Sequence, residues 1–140
     1  MCQIIDYING DFYITTDNEK IDINAVWSLL AESYWANTRE KDIIIKSLKN
    51  SLCFSLFHKD KQIGLVRVIT DCATFAYLCD VIIAEEYRHN GLGTWFMECV
   101  FKHPDLQNLR RFLLATRDAH EFYKKFGFNN LIRPENFMEK

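Results

Sequence analysis

Apolar and polar positions alternate with period two through Phe12-Tyr13-Ile14-Thr15-Thr16, a run rich in strand formers that predicts a first strand. The period then changes. Ile23, Val26, Trp27, Leu30 and Ala31 share one face at helical spacing, so a helix opens at Asp22-Ile23-Asn24 and runs to about Tyr34-Trp35. Thr38 reads as the hydroxyl cap of a second helix whose buried face is Ile44, Ile45 and Leu48. Two apolar runs follow, residues 52–58 and 62–70, flanking Lys59-Asp60-Lys61 and predicting a hairpin. Asp71-Cys72-Ala73 leads to a third run at 74–83, which makes an antiparallel meander.

Helical spacing returns in Trp95-Phe96-Met97-Glu98-Cys99-Val100-Phe101 and stops at His103-Pro104, because proline disfavours helix in the residue before it. Arg111-Phe112-Leu113-Leu114-Ala115-Thr116 predicts a strand joined to the 74–83 strand by a right-handed crossover, hence parallel to it. Asp118-Ala119 starts a short helix through Phe126, stopped by Gly127, and residues 128–132 form a last strand. The order β-α-α-β-β-β-α-β-α-β places the chain in the α/β (α+β) class. It predicts a mixed, mostly antiparallel sheet with helices on both faces, and one domain over residues 1–140.

Composition narrows the functional classes. A hydrophobic content of 49% supports a real core. A net charge of -2 argues against a nucleic-acid partner. No apolar stretch reaches membrane-spanning length, and the N-terminus lacks the basic and apolar regions of a signal peptide. Cys2, Cys53, Cys72, Cys79 and Cys99 are odd in number and lack C-x-x-C spacing. They read as small hydrophobes in a reducing compartment, and the protein as cytoplasmic. With His58, His89, His103 and His120 they form no metal signature.

The chemistry concentrates in Arg88-His89-Asn90-Gly91-Leu92-Gly93-Thr94, a glycine-bearing loop between a strand and a helix start. Amides at a helix N-terminus lack intrahelical partners and carry the positive end of the dipole, so this loop suits phosphate or pyrophosphate. It lacks the G-x-x-x-x-G-K-[ST] pattern of P-loop nucleotidases and the G-x-G-x-x-G of dinucleotide folds.

The arrangement resembles the GNAT superfamily of acyl-CoA-dependent N-acetyltransferases. Arg88, Gly91 and Gly93 match its [RQ]-x-x-G-x-[GA] pyrophosphate loop. Ala119-His120-Glu121-Phe122-Tyr123-Lys124-Lys125-Phe126-Gly127-Phe128 matches its later A-x-x-[LF]-Y-x-x-x-G-F segment. The resemblance covers roughly residues 12 to 132 and implies acetyl-CoA as co-substrate, with no metal. It implies that the amides from His89 to Thr94 cradle the pyrophosphate, with Arg88 adding charge. It implies a splay between the strand ending at Ile83 and its parallel neighbour, opened by a bulge near residues 80–82. The pantetheine arm would lie in that gap along Val81, Ile82 and Ile83, one of whose amides polarises the thioester carbonyl, an effect on the order of 3 kcal/mol. Tyr123 matches the position that protonates the departing thiolate.

The acceptor amine must lose a proton before it attacks. Asp80, a charge inside an apolar strand, is the candidate base, and pairing with Arg67 or a tyrosine hydroxyl is the alternative use of that charge. Tyr77 and Asp71 lie near the same strand. The resemblance places Tyr34, Trp35 and Arg39 at the acceptor pocket, with Arg39 available to a carboxylate. Thr116 stands where the family commonly has a cofactor-contacting Asn, and Asn90 reduces the loop's positive charge. His120 is a candidate proton relay, and Lys102, Lys124 and Lys125 are candidates for the cofactor's 3′-phosphate, with solvated surface positions as the alternative use of each. The chain ends soon after Pro134, so a further strand is either absent or formed by residues 136–139.

The expected activity is transfer of an acetyl group from acetyl-CoA to the primary amine of a small molecule, by direct attack in a ternary complex. The alternatives are a protein N-terminal or lysine acetyltransferase and a non-catalytic acyl-CoA-binding module. Neither a nucleic acid nor a membrane is an expected partner, and monomer and homodimer both remain open.

Overall fold

The computed structural model describes residues 2–140. Six strands form one sheet in the order β1 (Asp6–Asn9), β2 (Phe12–Thr15), β3 (Leu52–His58), β4 (Lys61–Thr70), β5 (Phe75–Ile83) and β6 (Arg111–Leu114). All neighbours are antiparallel except β5 and β6, which are parallel. Helices α1 (Ile23–Ala31) and α2 (Lys41–Lys49) lie between β2 and β3, α3 (Leu92–Lys102) joins β5 to β6, and α4 (His120–Lys124) follows β6.

Every residue of β4 from Gln62 to Val68 is buried, which requires cover on both faces of the sheet. Gly64 faces α3, where Phe96 leaves no room for a larger side chain: an added Cβ would stand 3.1 Å from the Phe96 ring and from the Ile82 carbonyl. Arg67, on the opposite face, points to the segment that joins α1 to α2. Phe54, Phe96, Ile14, Leu30, Ile44 and Leu48 are fully buried between these layers. Among the described residues no helix is long and apolar enough to cross a membrane.

The elements depart from the sequence expectations in five places. An additional first strand, β1, pairs with β2 through a two-residue turn with Gly10 at φ +59. Helix α1 ends at Ala31, so Tyr34, Trp35 and Arg39 sit on an irregular segment. Helix α2 starts at Lys41 after Glu40, with no side-chain cap, and Thr38 does not cap it. Residues 128–132 are not a strand. Phe128 turns inward against Phe101, Phe112 and Tyr123 and serves the core, while residues 129–136 are exposed. Residues 136–139 form no strand either: Pro134–Asn136 is a single 3-10 turn.

A further departure concerns the cysteines. Cys53 and Cys99 are buried thiols, as a reading of them as small hydrophobes requires. Cys2 and Cys72, however, are joined as a disulfide. Residues 3–5 are held in place by Thr16, by the fully buried His103 ring and by Asp105. That anchoring brings the Cys2 and Cys72 Cα atoms to 5.7 Å, inside disulfide reach. The expectation of a cytoplasmic protein therefore loses the support it drew from unpaired cysteines.

Candidate active site

The site is built on the second half of β5. Pairing with β6 runs from Phe75↔Arg111 to Leu78↔Leu114 and stops there, while β5 continues to Ile83 without a parallel neighbour. On its other side the register with β4 shifts between Leu65↔Ile82 and Arg67↔Cys79, so Asp80 and Val81 together oppose the single residue Val66. This is the β-bulge expected at residues 80–82. Asp80 absorbs it with φ +48, a left-handed conformation that Asp tolerates better than most side chains.

Asp80 is 5% exposed and its carboxylate is fully engaged. Oδ2 accepts from Arg67 Nε at 2.6 Å and from Arg39 NH1 at 2.8 Å, and Oδ1 accepts from Trp35 Nε1 at 3.0 Å. Arg67 also donates to Ser51 Oγ at 3.1 Å. Burial alone would push the Asp80 carboxyl up. The hydrogen bonds and charges of Arg67 and Arg39 together outweigh it and hold the group below its ordinary value. A carboxylate so held is a poor proton acceptor, so the geometry favours the pairing use of this charge over the role of base. Arg39 is likewise committed: the carboxylate it binds is the protein's own.

The network hangs the 32–40 segment over the end of β5. Between them lies a cleft of about 280 Å³ lined by Glu32, Ser33, Tyr34, Trp35, residues 81–83 and Arg88. Glu32, the carboxylate among the lining residues, was not singled out from the sequence. Its only signal there is its position directly after the apolar face of α1.

The glycine loop closes one end of this cleft. Arg88 Nε donates to the Ile83 carbonyl at 2.7 Å, which fixes the guanidinium beside the strand end. His89 and Gly91 adopt left-handed φ of +65 and +83. Asn90 Oδ1 accepts from the Leu92 amide at 3.2 Å, and Trp95 donates the first helical bond to the Gly91 carbonyl. Among the described residues, the amides of Gly91, Gly93 and Thr94 have no acceptor. A Cβ at Gly91 would meet nothing within 4 Å, and one at Gly93 only Ile83 Cδ1 at 3.7 Å. The donor set and the open backbone fit a diphosphate.

Tyr123 stands across the splay, 9% exposed. Burial, with a smaller contribution from the neighbouring Tyr34 phenol, pushes its hydroxyl up to about 12, so it is protonated through the neutral range. A second cleft of about 370 Å³ lies between β6, α4 and the C-terminal segment, with Leu114, Thr116, His120 and Tyr123 in its wall. The Thr116 hydroxyl accepts from the Ala119 amide at 3.0 Å and organises the start of α4. Tyr77 lies in the paired half of β5, between Ile69 and Leu113, and lines neither cleft. Asp71 binds the amides of residues 73–75 and the Thr74 hydroxyl, so it shapes the turn before β5 and takes no part in the cleft.

Comparison with known proteins agrees with this geometry. The GNAT acetyltransferase domain profile matches residues 49–130. A "putative acetyltransferase" of Gibberella zeae is 31% identical over 89% of this chain and 82% of that protein. A GNAT-family protein of Xanthomonas campestris pv. campestris is 40% identical, with a TM-score of 0.89 over 92% of each chain. A GNAT acetyltransferase of Elizabethkingia anophelis, solved with acetyl-CoA bound, shares the fold at 15% identity with a TM-score of 0.65, over 94% of this chain and 88% of that one. The chain belongs to the GNAT acetyltransferase family.

Proposed function

We propose that the protein transfers an acetyl group from acetyl-CoA to the primary amine of a small molecule, by direct attack with both substrates bound. The reading rests on one observation above the rest: the open edge of β5 at residues 79–83 runs from the unpaired amides of the glycine loop to the neighbourhood of a buried, protonated Tyr123. Acetyl-CoA supplies the acyl group and a thiolate leaving group. The amides of Gly91, Gly93 and Thr94, with Arg88, hold its diphosphate. An amide among Val81, Ile82 and Ile83 donates to the acyl carbonyl oxygen, where a preorganised donor counts most. Tyr123 holds a proton at Oη for the departing sulfur. Glu32 takes the proton of the acceptor amine through water, and Asp80 fixes the wall against which that amine sits.

Thiol release from acetyl-CoA, followed against a panel of amines, tests the reading. Binding of coenzyme A without turnover on any amine would favour the acyl-CoA-binding module instead. Gly91→Glu should weaken coenzyme A binding by at least about tenfold in calorimetry. It places a carboxylate among donors that suit an anion and forces an L side chain into a left-handed position. Unchanged affinity would remove the loop from the reading. Glu32→Gln should lower kcat about a hundredfold with little effect on the KM for acetyl-CoA. An unchanged pH–rate profile would discharge Glu32 as base.

A further inference from the structure

The sequence offers Arg39 as the cation for an anionic acceptor, but Arg39 is spent on Asp80. Another arginine contacts the cleft's wall. Arg117, on the exposed link between β6 and α4, lies with its guanidinium carbon 3.7 Å from the centre of the Tyr34 ring. Tyr34 lines the cleft at the end of β5, and its phenol lies near that of Tyr123, which belongs to the second cleft. Arg117 therefore reaches the rim of the first cleft through Tyr34, although it lines neither cleft and its own sequence position is on the far side of the splay.

Two features make this guanidinium a receptor. It makes no ion pair with any carboxylate among the described residues, whereas Arg39 and Arg67 both do. Contact of its carbon with the Tyr34 ring fixes its position while the N–H groups around its edge keep their donor capacity, the fork that matches a carboxylate or phosphate in bidentate fashion. Tyr34 is itself braced edge-on by Trp35, at 5.0 Å between ring centres, and Trp35 is tied to Asp80. The guanidinium is thus held by a chain of contacts that ends on the catalytic strand.

We infer that Arg117, seated on Tyr34, is the specificity residue of the acceptor site, and that it selects amines that also carry an oxyanion, a carboxylate or a phosphate monoester. This rests on the amine-acetylating reading above. It adds that a neutral amine of the same shape is the poorer substrate.

The experiment compares matched acceptors: α-amino acids, their decarboxylated amines, and aminoalkyl phosphates with the corresponding amino alcohols. Wild-type protein should favour the anionic member of a pair, and the carboxylate and phosphate arms show which oxyanion is read. In Arg117→Ala the preference ratio in kcat/KM should fall roughly ten- to a hundredfold, carried mainly by the KM of the anionic acceptor. Arg117→Lys should recover part of it. Equal losses on both members of a pair would overturn the inference, as would a rise confined to the KM for acetyl-CoA, which would assign Arg117 to the cofactor. If no amine in the panel turns over, calorimetry of the same pairs on coenzyme A-saturated protein decides the matter separately. Tighter binding of the anionic member, lost in Arg117→Ala, sustains the inference while the catalytic reading fails. Equal binding of both members overturns it.

Discussion

Asp80→Ala should lower the unfolding free energy by about 3–5 kcal/mol, a large share of the stability of a chain this size. The loss comes less from the missing attraction than from what remains. Arg67, with 11% of its side chain exposed, would keep its charge without a counter-ion, and Arg39 and Trp35 would lose the acceptor that ties their segment to the bulge. Asp80→Asn should cost less, because asparagine also tolerates a left-handed backbone and keeps an acceptor for Arg67. Combining Asp80→Ala with Arg67→Met should recover part of the loss, since a buried charge without a partner is the expensive element. Urea unfolding of the set measures these differences. Additive losses in the double variant would show that the pair is not the source.

The same carboxylate gives the pH dependence its sign. Its pKa in the folded protein lies below the unfolded value of about 3.9, so its contribution is complete above that range. It is lost as the pH falls through and below the ordinary carboxylate range. Asp80→Asn should flatten that acid limb of stability against pH. Parallel limbs in variant and wild type would mean that other carboxylates carry it.

Tyr123→Phe should reduce kcat by about a hundred- to a thousandfold while leaving stability and the KM for acetyl-CoA nearly unchanged. The ring packs edge-on against Phe122 and Phe128, contacts that phenylalanine reproduces, so only the hydroxyl is removed. Because burial pushes the hydroxyl up to about 12, the wild-type rate should show no loss from tyrosine ionisation through the neutral and mildly alkaline range. An unchanged kcat in Tyr123→Phe would return the residue to the aromatic core.

The parts of the fold that local pattern encodes are legible in the sequence. The meander, the loop at residues 88–94, the crossover to β6 and the bulge all stand where spacing and resemblance put them. Long-range facts were not legible. The hairpin of β1 carries its signal in Asn9-Gly10-Asp11, but Tyr7 and Ile8 alternate too briefly to stand out. Phe128 has strand propensity, and an aromatic cluster claims it instead. Cys2 and Cys72 meet because His103 and Thr16 fix residues 3–5, which spacing cannot reveal. At the site, the loop motif points to the amides that the structure leaves without acceptors among the described residues, and the role proposed for Tyr123 rests on its segment. The use of Arg39 could not be read, since the segment bearing it folds over β5 from a distance of 41 residues. Arg117 met Tyr34 for the same reason: two exposed loops converge only once the sheet exists.

Only four register pairs attach β6, and with it α4, to the rest of the sheet. An elongated guest laid along the unpaired edge of β5 would become a seventh lath in the lamina and brace that seam. Occupancy and endurance are then one quantity: each gain in affinity raises the melting point, and the empty enzyme is the more perishable one.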